Sequence, residues 1–284
     1  MVRKMMLPPG WYPRDAEAID GYLGGFLASG GGARAVIAPH AGWLFSGRIA
    51  AKALSALRRD TGLVIVAGGH LPAGHPALFF SEDAVATPLG EMPVDREMRA
   101  LVREEFLRAG LDCGADDYAD NTVEVLLPAV RRFFPGAALL ALRLGADRRA
   151  FEAGALVAAA AASLGRAAVL VGSTDLTHYG PSYGFCPAGH GKTALDWVKT
   201  VNDRRLIEAL LSGDGDAVLE RAAKEHSACS AGAVLCAMGF ASGVRAPMTA
   251  RLLDYTTSAD VQRALGGGYG EADSFVGYAA VELD

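Results

Sequence analysis

The run Ala153–Val171, AGALVAAAAASLGRAAVLV, decides how this chain is read. It is the most apolar stretch in the sequence and long enough for a bilayer span, but Ser163, Gly165 and Arg166 interrupt it. It divides instead into an Ala-rich helix over Ala150–Leu164, a break at Gly165 and a buried strand over Ala167–Gly172. Outward from it, the same strand pattern recurs at Ala33–Ala38, Leu63–Gly68, Ala138–Leu142 and Phe275–Glu282. Each is a short run, mostly Ala, Val, Ile or Leu, as suits strands covered on both faces. Between them, apolar residues at helical spacing predict helices over Gly47–Arg59, Val94–Ala109, Thr122–Phe134, Leu195–Ser212, Ala217–Lys224 and Ser230–Phe240. Strands alternating with helices predict an α/β fold: a central, mostly parallel or mixed β-sheet flanked by helices on both faces. The Gly-rich spots Gly30–Gly32 and Gly266–Gly270 read as turns, so residues 1–284 are expected to form a single domain.

Composition narrows the function classes. The chain has 284 residues, 51% hydrophobic and 21% charged, which excludes disorder as its main state. Its net charge of -5 argues against a nucleic-acid partner, whose footprint would be basic. The four cysteines form no C-x-x-C, so zinc ribbons, thioredoxin motifs and radical-SAM cluster loops lack their ligands. No apolar segment follows the basic residues of MVRKMMLPPGWYPRD, and no membrane association is expected. A cytoplasmic location with reduced thiols is the expectation.

The polar residues gather where strands end. His40 follows the first run in APHAGWLFSG, with small residues on its far side and Ser46 as a candidate helix cap. His70 ends the second in AGGH, where the glycines allow a sharp turn. Asp175 and His178 follow the fourth in VGSTDLTHYG, at a spacing that suits one turn. A carboxylate there could fix the imidazole's tautomer for acid–base work. Ser173 lacks the G-x-S-x-G context of a hydrolase nucleophile. Cys229 precedes the helix at Ser230–Phe240, a position that favours the thiolate, whereas Cys236 reads as a core residue. Trp43, Phe45 and Tyr179 follow histidines and could line an apolar pocket. In open α/β sheets, ligands bind beyond the carboxyl ends of the strands.

In this order the motifs resemble the Memo family, whose microbial members carry the label AmmeMemoRadiSam system protein B. The resemblance rests on Gly10-Trp11-Tyr12-Pro13, PHAGWLFSG from Pro39, the Gly69-His70 loop and TVEVLLP from Thr122. It continues through STDLTHY from Ser173, the Cys229 segment and YTTSAD from Tyr255, and so spans nearly the whole chain. It implies a fold like that of the class III extradiol dioxygenases. It also implies His40, His70 and Cys229 as metal ligands, with His178, beside Asp175, as the acid–base histidine. The family commonly has an imidazole where this chain has Asn121, a residue that can still donate a hydrogen bond to substrate.

Two imidazoles and a thiolate leave coordination positions open, as in a catalytic site. The resemblance favours Fe(II); soft ligation also suits copper or zinc. The leading expectation is a dioxygenase-like oxidoreductase acting on a small phenolic or enol-type substrate, with Asn121, Trp43 and Tyr255 positioning that substrate. The alternative is a non-catalytic module that binds a peptide or protein in the ancestral cleft. Arg131, Arg132, Arg143, Arg148 and Arg149 would be its phosphate-reading candidates, although they read as solvated faces. The family label implies radical-SAM and AMMECR-type proteins as pathway partners.

Overall fold

A computed structural model describes residues 1–27, 31–243, 248–266 and 273–284. The chain opens with β1 (Val2–Arg3), α1 (Ala16–Leu27), β2 (Ala35–Ala38), α2 (Trp43–Ala56), β3 (Leu63–Leu71), β4 (Ala77–Phe79), β5 (Ala84–Thr87) and β6 (Gly90–Pro93). Its middle third contains α3 (Arg96–Arg108), β7 (Cys113–Ala115), α4 (Asn121–Glu124), α5 (Leu127–Phe133), β8 (Ala138–Gly145), α6 (Arg149–Ser163), β9 (Ala168–Ser173) and β10 (His178–Tyr179). It closes with α7 (Gly191–Trp197), α8 (Asp203–Leu211), α9 (Gly215–Glu225), α10 (Ala231–Ser242), β11 (Ala250–Thr257), α11 (Ser258–Ala264) and β12 (Phe275–Leu283).

The main sheet runs β10-β12-β2-β9-β3-β8-β4-β7, with β11 also paired to β12. Its centre is parallel: β2 pairs with β9, β9 with β3, and β3 with β8. β12 joins antiparallel to β2, and β4 antiparallel to β8, so the sheet is mixed at its flanks. Alternation along the strands divides the core in two. Ile37, Ile65, Leu140 and Leu170 face the helices α3, α6 and α10, while Val36, Val64, Leu139 and Val169 face α1, α2 and α5. This is the two-sided burial that the apolar runs imply. The 153–171 run resolves into α6 and β9, and among the described residues no helix is long and apolar enough to cross a membrane.

Several expectations shift for local reasons. The helix expected over Thr122–Phe134 is two, α4 and α5, because Pro128 has no N–H to give the carbonyl of Glu124 one turn back. The helix expected over Leu195–Ser212 begins at Gly191 and opens into a π-helical turn, Val198–Asn202, before α8. α2 begins at Trp43, so Ser46 lies inside it and does not cap it; the Ser46 hydroxyl donates to the carbonyl of Ala41 at 2.8 Å. Residue 30 of the first Gly-rich turn and residues 267–270 of the second lie outside the described residues.

Candidate metal centre

The strand ends set the geometry. His40 leaves the carboxyl end of β2 and is almost fully buried. Its backbone N–H donates to Asp175 Oδ1 at 2.7 Å, and its carbonyl accepts from Asn121 Nδ2 at 3.0 Å. Its ring Nδ1 lies 2.9 Å from Ser173 Oγ, so Nε2 is the free face, 3.2 Å from Cys229 Sγ. His70, near the end of β3, adopts φ +58°, an uncommon left-handed conformation for a residue with a side chain. Its Nδ1 lies 3.2 Å from Asp120 Oδ2, and its ring stands edge-on to that of His40, with centroids 5.0 Å apart.

Cys229 is brought in by α10. That helix is apolar all round and buried along nearly its whole length, as a helix laid between sheet and α6 must be. Its start presses close to two strand ends. A Cβ on Gly232 would overlap the carbonyl of Gly145 at the end of β8, and one on Gly69 would overlap Ser230. Only glycine permits both approaches. They place the Cys229 thiol between the two imidazoles, with its backbone N–H donating to the Asp175 carbonyl at 3.3 Å.

One nitrogen of each histidine and the sulfur lie within 4.8 Å of one another. Ligand bonds of roughly 2.0–2.3 Å would put donors roughly 3.3–3.8 Å apart around one ion. The separations in this site, from 3.2 Å up to 4.8 Å, span that range. The electrostatics agree with the geometry. Burial would push the Cys229 thiol up, but the His40 and His70 imidazoles outweigh it and hold the thiol well below its ordinary range. Burial would push the His70 imidazole down, but Asp120 and Cys229 outweigh it and push it up to about 10. His40 is likewise raised against its burial, by Cys229 and Asp175. The thiolate, the form that could ligate a metal, is therefore favoured at this position.

The neighbours of this cluster differ from the sequence expectation. Asp175 is spent on His40, and its carboxyl, raised chiefly by burial, does not fix the tautomer of His178. The Leu176 carbonyl does so, 3.2 Å from His178 Nδ1. Trp43 is not a cleft wall: it is 4% exposed, packs in the core against Tyr22 and donates its indole N–H to the Val125 carbonyl at 2.9 Å. Tyr179 is buried in a separate cluster, stacked on Phe275. The hydroxyl of Tyr255, expected to position a substrate, donates to the buried carboxyl of Asp203 at 2.7 Å. Asn121 braces the His40 loop. Arg143, expected on a solvated face, is buried and forks onto Asp116. Cys236 lies in the core.

Sequence reading missed Asp120, Ser173 as a partner of His40, Arg143 as a buried residue, and Tyr183. The Tyr183 ring, 47% exposed, stands edge-on to His178 with centroids 4.9 Å apart. A lone arginine inside the apolar run of β8 was the available signal for Arg143, since a charge there must find a buried partner.

The fold and the cluster define a mixed α/β sheet with a candidate mononuclear His/His/Cys metal centre beyond its strand ends. The family model described as Memo-like protein matches residues 3–282, and the chain belongs to that family. A MEMO1 family protein of Pyrococcus furiosus is 30% identical over 299 residues, covering 100% of this chain and 99% of the relative. One from Thermococcus onnurineus is 32% identical over 297 residues, covering 99% of each. Among solved structures, an uncharacterized protein of Escherichia coli K12 matches 87% of this chain and 98% of its own, at 14% identity and a TM-score of 0.46.

Proposed function

We propose that this Memo family protein is a mononuclear metal-dependent oxidoreductase acting on a small phenolic or enol-type substrate, with His40, His70 and Cys229 as ligands. The observation that carries the reading is the convergence of these three donors within 4.8 Å, each imidazole with its Nδ1 already engaged elsewhere. Iron(II) is the preferred ion by the family's resemblance to extradiol dioxygenases, and the thiolate would also accept copper or zinc. Bound there, iron would supply a Lewis acid and a one-electron reductant.

The chain's own residues divide the remaining work. His178 holds its Nδ1 proton toward the Leu176 carbonyl, which leaves Nε2 as the basic atom able to take a proton from a substrate hydroxyl. Tyr183, exposed and edge-on to His178, offers an aromatic surface for a substrate ring in place of the buried Trp43. Asn121 and Asp175 hold the His40 loop still from two sides.

The test loads the protein with Fe(II) under anaerobic conditions and titrates it with catechols. Anomalous scattering above and below the iron and copper edges identifies the ion retained on purification. Displacement by catechol of a nitric oxide spin probe bound to the iron, an effect lost in Cys229→Ala, supports the reading. No perturbation of the metal by any catechol or enol, together with tight metal-independent peptide binding, refutes it.

A further inference from the structure

The two imidazoles are not braced alike. His40 Nδ1 faces a serine hydroxyl, which can donate or accept and so imposes no tautomer. His70 Nδ1 faces Asp120, whose carboxylate can only accept. Asp120 is held by two further sets of bonds. Its Oδ1 accepts from the backbone N–H of Thr122 at 2.8 Å and from the Thr122 hydroxyl, which fixes the start of α4. Its Oδ2, the oxygen that faces His70, also lies 3.1 Å from Arg143 Nη1.

Arg143 is itself immobile. Its Nε and Nη2 each donate to Asp116 at 2.8 Å, in the bidentate fork that matches a carboxylate. Asp116 is 1% exposed and anchored by its own N–H to the Phe79 carbonyl. Arg143 Nη1 also reaches the carbonyl of Gly69, the residue before His70. One guanidinium therefore touches both the backbone that carries His70 and the carboxylate that orients its ring.

We propose that Asp120, clamped by Arg143, is the positioning residue that fixes the tautomer and direction of His70 and thereby sets how tightly the centre holds its metal. The inference rests on the metal-centre reading above. With Oδ2 accepting, Nδ1 carries the proton and Nε2 keeps its lone pair for the ion. Partners of this kind behind a ligating histidine typically change metal affinity by roughly 10–100-fold.

Asp120→Asn is close to isosteric and separates the roles. If the amide oxygen stays on the Thr122 N–H, its NH2 faces His70 Nδ1, which must then accept. The proton moves to Nε2, and that atom can no longer ligate. Titration with Co(II) against a competing chelator should give a Kd roughly 10–100-fold weaker than wild type. Long-range 1H–15N spectra of the zinc-loaded protein should show His70 on the metal through Nε2 and protonated at Nδ1 in wild type, and released from the metal with its proton on Nε2 in D120N, where His40 and Cys229 still hold the ion; His40 is the internal reference. Arg143→Lys keeps the charge but not the fork, and should weaken Co(II) binding less, in the same direction, should D120N not fold. Wild-type protein that takes up neither Co(II) nor zinc removes the metal-centre reading and this inference together. Wild type that binds, beside a D120N of equal Kd and unchanged His70 tautomer, overturns the inference alone.

Discussion

Glu124 is the residue whose loss should be felt furthest from its own position. It is 6% exposed and ends α4, and its carboxylate gathers the N-terminal arm. The N–H of Met6 bonds both oxygens, at 3.0 and 2.9 Å; the N–H of Leu7 adds a bond at 2.9 Å and the Tyr12 hydroxyl one at 2.7 Å. Glu124→Ala strands two backbone N–H groups and a phenol. Hydrogen bonds to a charged group contribute roughly 1.5–3 kcal/mol each when buried. Because the arm is only partly buried, water can reach some of these donors, and a loss of about 3–5 kcal/mol is the expectation. For a chain of this size that corresponds to a fall in Tm of roughly 5–8 °C. Glu124→Gln keeps one acceptor oxygen and should lose about half as much. Urea unfolding at constant m reads the change, and limited proteolysis should cleave the arm before the sheet opens. An E124A protein melting within 2 °C of wild type, its arm still protected, would refute the view that this carboxylate clasps the arm.

Three further outcomes follow from the same geometry. Gly232→Val drives a side chain into the Gly145 carbonyl, and should destabilise by roughly 1–3 kcal/mol or more while weakening Co(II) binding, because it lifts α10 and Cys229 off the sheet end; an unchanged Kd would show that Cys229 is placed some other way. His178→Ala should spare metal binding and cost roughly 10²–10⁴ in any proton-transfer-limited rate, and loss of the metal in that variant would make His178 a ligand. Burial pushes the Asp203 carboxyl up to about 6, against donors from Thr177 and Tyr255 that favour the charged form. The folded chain therefore takes this proton before the unfolded chain does. Stability is reduced above pH 6 and recovers by about 2–3 kcal/mol as pH falls toward 4, a slope that Asp203→Asn should lack. Subtracting the two pH–stability curves isolates it; a flat difference would contradict the raised value.

The strands that position the centre were legible because burial on both faces leaves a continuous apolar run, as in Val64–Ala67 and Val169–Val171. β11 was not legible. Arg251, Asp254 and Thr256 make it polar, and it forms because β12 offers an edge, which no local pattern records. β4 and β7, at three residues each, are too short to show a period. At the centre, His40, His70 and Cys229 could be singled out as candidates because each stands at the end of a strand or the start of a helix; their role as ligands came from the family resemblance. Their partners could not be. Whether His178 is oriented by Asp175 or by Leu176 depends on which oxygen the turn presents, and the three-residue spacing of Asp175 and His178 suits either. The aromatics beside the histidines were misjudged for a related reason: adjacency in the chain places Trp43 and Tyr179 on the inward face of their elements, whereas Tyr183 reaches the rim on a 3-10 turn.

The placement of Cys229 by α10 also bears on when the centre can exist during synthesis. His40 and His70 lie in the first quarter of the chain, but the thiol stands at position 229, and the strand that flanks β2 opposite β9 is β12, which ends at Leu283. A ribosome making about 5–20 residues per second would expose the two histidines many seconds before their partner. During that interval neither of the two imidazoles has the sulfur beside it or the packed helix that aims it. An ion bound there would be taken up only after Cys229 and β12 have been made, from the side on which His70 is about one-third exposed, since His40 is sealed. Selection among metals would then fall to a set of donors already in place and not to the affinity of a loose thiol for whatever soft ion is nearest.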